Sequence, residues 1–502
     1  IPASTSTSLI TTWPHSTREY SVDVFSGRQH RRRMNVQKKE RYHATPGGKA
    51  VARPESTKRQ AHSAEDIKKA HFERINKFYN DNKHYVDNDN NNKVRREKTP
   101  MAMQFAYVGT GYHGLEYRMT EFVALENVLE QALFKAGMIL PSNLGDPNRL
   151  RWNRSSRTDK GVHSLCTLLS ASLEMDRSRL GTAEGLTKCL DEVNSHLPAQ
   201  LRLMALVPTN KSFNPRQQCT SRTYHYMVPK KHLGTIYTMD QINKDVLSLF
   251  LGPNSYHNFT HHRRTYKDIK SSSSTKELPI EEDAEEDNTG EAEESATSTT
   301  TSSSSSPDAW KLKPMDREAE MEAFRLNSKN YKRILGIRVV DTMMRAGTSK
   351  EEWVTFEIEG DSFIQYQIRK MIGFTLAVLN GHCDRRVLEI ALKSPFSMRS
   401  PVAPPTPLYL QRLCLGDRAT MDTFCNNESI NRIKTEFCHE QLQPHIVALD
   451  ERDQFFQKFM DELLPSHFYS VENDDLDKLY NMYLQFDDRS SAWRNNHKST
   501  DR

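Results

Sequence analysis

Arg154-Ser155-Ser156-Arg157-Thr158-Asp159-Lys160-Gly161-Val162-His163 is a polar, cationic turn, and it runs without a break into Val162 to Leu173, a stretch apolar at odd and even positions alike. A strand that is hydrophobic on both sides belongs in the middle of a sheet covered on each face. Thr-Asp-Lys-Gly taken alone is what an ordinary turn looks like, because Asp bonds its own backbone and Gly takes positive φ. Here Asp159 keeps company with Arg154, Arg157 and Lys160, which would hold it ionised and would also collect phosphates. The turn therefore combines a charged acid with an anion-binding rim.

Working outward, Met101, Met103, Phe105 and Tyr107 alternate with small or polar residues as a half-buried strand should, and order is expected to begin there. The strand ends at Gly109-Thr110-Gly111-Tyr112-His113-Gly114, whose spacing is neither a P-loop nor a dinucleotide fingerprint. Phe122, Leu125, Val128, Leu129, Ala132 and Ala136 then repeat at helical spacing. Beyond the Asp159 turn and its strand, Leu186, Leu190, Val193 and Leu197 give a second helix, and Leu201, Leu203, Ala205 and Val207 alternate as another strand. The first half reads strand, helix, strand, helix, strand, an α+β unit.

The second half opens with Phe213-Asn214-Pro215-Arg216 and Arg222-Thr223-Tyr224-His225-Tyr226. Tyr224 and Tyr226 point the same way from a strand, and the plain reading is a cross-strand aromatic pair with solvated arginines. Asp240 is placed to cap a helix carrying Ile242, Val246, Leu249 and Phe250. Tyr256-His257-Asn258-Phe259-Thr260 and His261 to Arg264 make a basic, histidine-rich run; without a carboxylate or Cys at ligand spacing it fits an RNA-facing or solvated cluster better than a metal site. Ile337 and Val339, then Val354, Phe356 and Ile358, read as two strands, and after Gly360 a helix bears Ile364, Ile368, Met371 and Ile372, with Gln365 and Arg369 a turn apart. Helical patterns such as Phe455, Phe456, Phe459 and Leu463 follow beyond Leu415.

At 502 residues, with 27% charged and 36% hydrophobic residues, the chain has room for two or three domains but is too polar to be packed throughout. Residues 1–98 are expected to be largely disordered, with one basic helix from Ala64 to Tyr79; 99–208 and 209–415 are the two halves of one domain, and 416–502 a helical extension. The Ser/Thr-rich and acidic block at 271–307 cannot bury a core and reads as a disordered, inert insertion. Net charge is +5, which permits polyanion binding. Seven scattered cysteines without a Cys-x-x-Cys pair argue for a reducing compartment and against structural zinc. No apolar run reaches the roughly 18 residues a membrane span needs, so no membrane partner is expected. Arg31-Arg32-Arg33 with Lys38-Lys39 makes the nucleus the expected compartment, while the Ser/Thr-rich start is compatible with a mitochondrial or other organelle address; a solvated tail accounts for both stretches without either.

Arg157-Thr158-Asp159-Lys160-Gly161-Val162-His163 resembles the signature of the TruA family of RNA pseudouridine synthases, and further matches follow in the family's order across about Met101 to Leu415. The Gly109 to Gly114 turn resembles the family's Tyr-x-Gly-Thr-x-Tyr-x-Gly, with Glu116 where Gln is usual. Arg216 matches the Arg of Phe-x-Ala-Arg, with Pro215 in place of Ala, and Tyr224 matches the first Tyr of Arg-x-Tyr-x-Tyr. Gly360 through Gly373 is similar to Gly-x-x-Phe-x-x-x-Gln-[Val/Ile]-Arg-x-Met-[Val/Ile]-Gly. Ala403 to Leu410 is similar to Ala-Pro-x-x-Gly-Leu-x-Leu, with Pro407 for Gly. The stretch from Lys434 through Glu451 to Ser470 is more loosely similar to the extension of eukaryotic type 1 members.

The resemblance implies a pseudouridine synthase fold: α+β, with a central mainly antiparallel sheet from two α+β halves, flanking helices and a basic cleft. It implies an isomerase of uridines in RNA, chiefly tRNA and potentially other RNAs including mRNA, that needs no cofactor and no metal. Asp159 is its catalytic acid, Arg369 its ion-pair partner, Tyr224 the ring against the target uracil and Leu408 the apolar wall of the pocket. Because a stacked uridine is out of reach, it must be flipped, and Arg157 is suited to fill the vacated space or hold a phosphate. Lys160, Arg216 and Arg222 suit phosphate contacts. Asp159 attacks the sugar or the base, or removes a sugar proton; all three routes stay open. Two other readings are a catalytically silent RNA-binding protein or chaperone that keeps the fold, and an RNA glycosidase that releases free uracil.

Overall fold

In the computed structural model, residues 64–86, 96–260, 331–341, 351–394, 398, 400–416, 427–467, 476–478, 480, 481, 483 and 484 are described. The expectations placed on the N-terminal signals, on His261 to Arg264 and on the 271–307 insertion lie outside these residues.

The strand anticipated from Met101 is longer at its start: β1 runs Arg96–Tyr107, and its first residues pair with the far end of β3, Arg96 opposite Asp176. The remaining strands are β2 (Asn153–Arg154), β3 (His163–Asp176), β4 (Leu201–Pro208), β5 (Cys219–Pro229), β6 (Gly252–Ser255), β7 (Tyr331–Asp341), β8 (Trp353–Gly360) and β9 (Leu408–Leu415). They form one sheet in the order β4-β1-β3-β9-β5-β8-β7-β6, with β2 beside β3. Every described pair is antiparallel except β3 with β9, where His163 lies opposite Tyr409 and Ser164 opposite Leu410. That short parallel seam joins the two α+β halves.

The longer helices are α1 (Ala64–Asn82), α2 (Leu125–Lys135), α3 (Ala183–Ser195), α4 (Gln367–Leu379), α5 (Arg385–Lys393), α6 (Glu428–Phe437) and α7 (Gln443–Asp453). Both faces of β3 are buried, as its composition requires. On one side Met103, Phe105, Leu169, Leu173 and Leu203 pack with Leu125, Leu129 and Leu133 of α2 and Val193 of α3. On the other, Ala102, Ala106, Leu168 and Met204 join a second cluster with Ile430 and Phe437 of α6 and Ile446 of α7, which continues to Met371, Ile372 and Phe374 of α4. Helix α1 docks as a further layer through Ile75, Phe78 and Tyr79, with Phe78 edge-on to Phe134 at 5.7 Å.

Four local expectations are corrected. In β4 the inward face changes sides: Leu201 and Leu203 face α2 and α3, whereas Ala205 and Val207 face the other cluster. The cause is a bulge, since Gln104 opposes Ala205 while Phe105 opposes Leu203, leaving Met204 extra. Phe122 precedes α2 and is exposed, lying against the His113 ring at 4.4 Å rather than in the core. The helix at Met239 is capped by Thr238, whose hydroxyl accepts from Gln241 N while the Gln241 side chain accepts from Thr238 N at 2.9 Å; Asp240 sits inside its first turn. Finally, α4 begins at Gln367, because Tyr366 takes φ +64° and breaks the helical run. Ile364 and Gln365 therefore belong to the turn that leads in, where Ile364 N donates to Gln367 Oε1 at 3.0 Å.

Candidate active site

The Asp159 turn is held at nearly every residue. Ser155 is buried and bonds Leu168 of β3 twice, N to O at 2.8 Å and Oγ from N at 3.1 Å. The Tyr107 hydroxyl at the end of β1 lies 2.8 Å from Thr158 Oγ1 and 3.1 Å from Thr167 Oγ1. Val162 N closes the turn onto Asp159 O at 3.1 Å. Gly109 N donates to His163 Nδ1 at 2.8 Å, so the proton sits on Nε2, which donates to Thr406 O at 2.6 Å. Burial pushes the His163 pKa down to about 3, so the ring is neutral and serves as a fixed bridge. A Cβ on Gly109 would fall 2.1 Å from Val162 O, which explains why the glycine-rich turn can lie so close.

The cationic rim divides. Arg154 does not face Asp159: Nε and Nη2 donate to the two carboxylate oxygens of Glu126 at 2.7 and 2.8 Å, and Nη1 to Glu116 Oε1 at 2.7 Å. Glu126 is fully buried in α2, so Arg154 is the counter-ion of a core carboxylate rather than a collector of phosphate. Arg157 is exposed and paired with Glu116 at 3.1 Å. Lys160 is exposed at the tip of the turn. Arg216 is exposed on a one-turn helix, Pro215–Gln218, that abuts β2 and is capped by Asn214. Pro215 starts that helix, where its missing N–H costs nothing.

Arg222 departs furthest from expectation. It is only 9% exposed, and its guanidinium donates to Asp361 O at 2.8 Å and Ser155 O at 2.7 Å, which withdraws it from any phosphate.

Arg369 arrives from α4. Its Nε donates to Ala403 O at 2.7 Å, its guanidinium lies 5.1 Å from the Tyr366 ring, and Ala403 N returns a bond to Arg369 O at 3.2 Å. Burial lowers the guanidinium's pKa, and the Asp159 carboxylate is the first influence raising it, so that negative charge lies within electrostatic reach of Arg369. With Nε engaged, the terminal nitrogens are the ones left for a carboxylate. The segment after Ala403 stitches the site together: Pro404 O accepts from the Tyr226 hydroxyl at 2.9 Å, Thr406 O from His163, and Pro407 O from Met227 N at 3.1 Å.

Tyr224 and Tyr226 have different surroundings. Tyr226 is fully buried opposite Phe356 and Leu408. Tyr224 is 6% exposed, edge-on to Phe363 at 5.2 Å, and burial pushes its hydroxyl up to about 12, so it stays neutral. Phe363 reaches it by folding over Gly360, where a Cβ would sit 2.8 Å from Phe363 Cζ. Leu408 is buried at the start of β9. Sequence reasoning missed Tyr107, His163 and Phe363 as supports; each had a signal, its place in one of the quoted motifs. Asn258, read as part of a basic run, is buried and structural, bonding Ala391 O and Met398 N. Among the described residues no group of His, Cys, Asp and Glu is placed to hold a metal ion, the described cysteines are free thiols, and no helix is long and apolar enough to cross a membrane.

A family model described as tRNA pseudouridine synthase matches residues 322–414, the part of the chain that carries Arg369, Ala403 and Leu408. That match is consistent with the resemblance to TruA pseudouridine synthases carried by the motifs. The chain's mixed sheet with flanking helices is the pseudouridine synthase fold. Among relatives, this chain is similar to tRNA pseudouridine synthase 1 of Yarrowia lipolytica, 26% identical over 359 residues that cover 64% of each protein. It is similar to the mouse pseudouridylate synthase 1 homolog, 25% identical over 396 residues, 74% of this chain and 75% of that one. A shorter stretch is 37% identical to tRNA pseudouridine synthase 1 of Schizosaccharomyces pombe over 135 residues, 27% of this chain and 23% of the relative. The chain thus spans just under two thirds of the Yarrowia relative.

Proposed function

We propose that this chain isomerises uridines in tRNA to pseudouridine, breaking the bond from N1 to C1′, turning the uracil and rejoining it through C5. The observation that supports the reading is the electrostatic influence of Asp159, from one half, on the buried Arg369 guanidinium of the other. Nothing is oxidised or hydrolysed in the reaction, so a single acid suffices where ordinary glycoside hydrolysis uses two carboxylates and a water. Arg369 keeps Asp159 ionised and aimed, and the Ala403 to Leu408 segment closes the pocket around a detached base. The target uridine is flipped from its stack at a cost of about a few kcal/mol. It packs against Tyr224, with Leu408 as apolar wall. Arg157, Lys160 and Arg216, the exposed cations about the turn, take the phosphates in the cleft between the halves.

The test is single-turnover conversion of tRNA uridines. Asp159→Ala should abolish conversion while tRNA binding persists, and Arg369→Lys, which keeps the charge but loses the fork, should slow it strongly. Full activity in Asp159→Ala would end the assignment. Free uracil in place of pseudouridine would make the chain a glycosidase, and tight binding by wild type without either product would make it a binding protein.

A further inference from the structure

We propose that Arg222 is a positioning residue for this reaction: one buried guanidinium ties the Asp159 turn and the lead-in to α4 to the strand that carries Tyr224. The proposal rests on the reading of the chain as a pseudouridine synthase.

Arg222 lies two residues before Tyr224 on β5 and pairs across the sheet with Gly360 of β8 and Leu413 of β9. From there Nη2 reaches Ser155 O and Nη1 reaches Asp361 O. Ser155 opens the segment that ends at Asp159 and is itself fixed to β3. Asp361 opens the turn that leads through Phe363 to α4 and Arg369, and its own N donates to Arg333 O at 3.2 Å. Three segments that each supply a site residue therefore converge on one planar group.

The chemistry suits that task better than phosphate binding. A guanidinium taken from water is expensive unless its donors are met, and here two carbonyl dipoles accept from its two terminal nitrogens. Both acceptors are main-chain atoms, so the contact fixes backbone position whatever the neighbouring side chains do. Because the fork is rigid, a shift of either segment strains the other. Lysine offers the same charge from a single nitrogen and cannot span two carbonyls in that geometry. A misplacement of about 1 Å between reacting groups is enough to cost on the order of a hundredfold in rate.

The experiment uses the full chain with Arg222→Lys. Single-turnover conversion at saturating tRNA should fall about tenfold to a hundredfold, with tRNA affinity, its salt dependence and the thermal midpoint unchanged. Hydrogen exchange should rise together in 155–163 and 361–369 and stay unchanged in 125–135. Weaker binding with a shallower salt slope and an intact rate would make Arg222 a phosphate contact and overturn the proposal. So would exchange that rises in neither segment or only one, or across the whole sheet with a lowered midpoint. If wild type makes no pseudouridine in any tRNA, the functional reading fails, while the paired exchange response still decides whether Arg222 couples the two segments.

Discussion

At Glu116 one carboxylate oxygen accepts from two arginines, Arg154 at 2.7 Å and Arg157 at 3.1 Å. Arg154 has a second, buried carboxylate in Glu126, but Arg157 is largely in solvent, and its pair with Glu116 competes with any phosphate that approaches. An exposed pair of this kind is worth about 0.2 to 1 kcal/mol, so Glu116→Gln should tighten tRNA binding by about 1.5-fold to fivefold at low salt, with the advantage fading at high salt. Equal affinities in a fluorescence anisotropy titration at low salt would show that Arg157 is not restrained by Glu116. The pairing was illegible in the sequence, as was the fate of Arg154, because a carboxylate on the helix Leu125 to Ala136 reads as its solvated side until the fold brings Arg154 over it. Asp159 and Arg369 could be singled out in the sequence because each sits in a long motif. The role of Arg222 was not legible: it opens the Arg-x-Tyr-x-Tyr match, but a motif carries no mark that says which carbonyls its arginine will meet.

Helix α2 carries a second buried acid one turn after Glu126. Glu130 accepts from Gly145 N at 2.9 Å and from the Tyr117 hydroxyl at 3.1 Å, and Gly145 O in turn lies 3.0 Å from His71 Nε2 of α1. Burial pushes the Glu130 carboxyl up to about 7 from 4.5, against those two hydrogen bonds. The folded state therefore holds a proton that the unfolded state releases. Glu130's stabilising share is complete below about pH 4.5, declines as pH rises and is lost above about pH 7. Glu130→Gln cannot ionise, so relative to wild type it should gain on the order of 2 kcal/mol between about pH 5 and about pH 8, read from urea midpoints. Parallel curves would mean that Glu130 does not titrate. At this scale the sequence placed most elements and missed their edges for local reasons. A tyrosine at positive φ starts α4 late, and a bulge at Met204 turns β4 over; neither leaves a trace in hydrophobic periodicity.

The whole molecule depends on a sheet covered twice. Helices α2 and α3 cover one face of the first half, and the other face is closed by α6 and α7, which lie far along the chain. This tail is tied to the site as well as to the core: His445 Nε2 lies 2.9 Å from Thr110 Oγ1 in the glycine-rich turn, and its ring is edge-on to His163 at 6.0 Å. Phe456, just past α7, is fully buried and packs against Tyr226, His232 and Trp353. It therefore backs the same β5 strand that presents Tyr224. Truncating that ring leaves a cavity between β5, β8 and the tail, so Phe456→Ala should lower stability by about 3 to 5 kcal/mol in urea unfolding. Ending the chain before Glu428 removes Ile430, Phe437, Leu442 and Ile446 together and uncovers an apolar face of β3 and β4. That variant should be recovered only as aggregate, because an open apolar sheet face of this extent seeks another partner. A soluble, cooperatively folding truncation would show that the first half closes its second face without the tail.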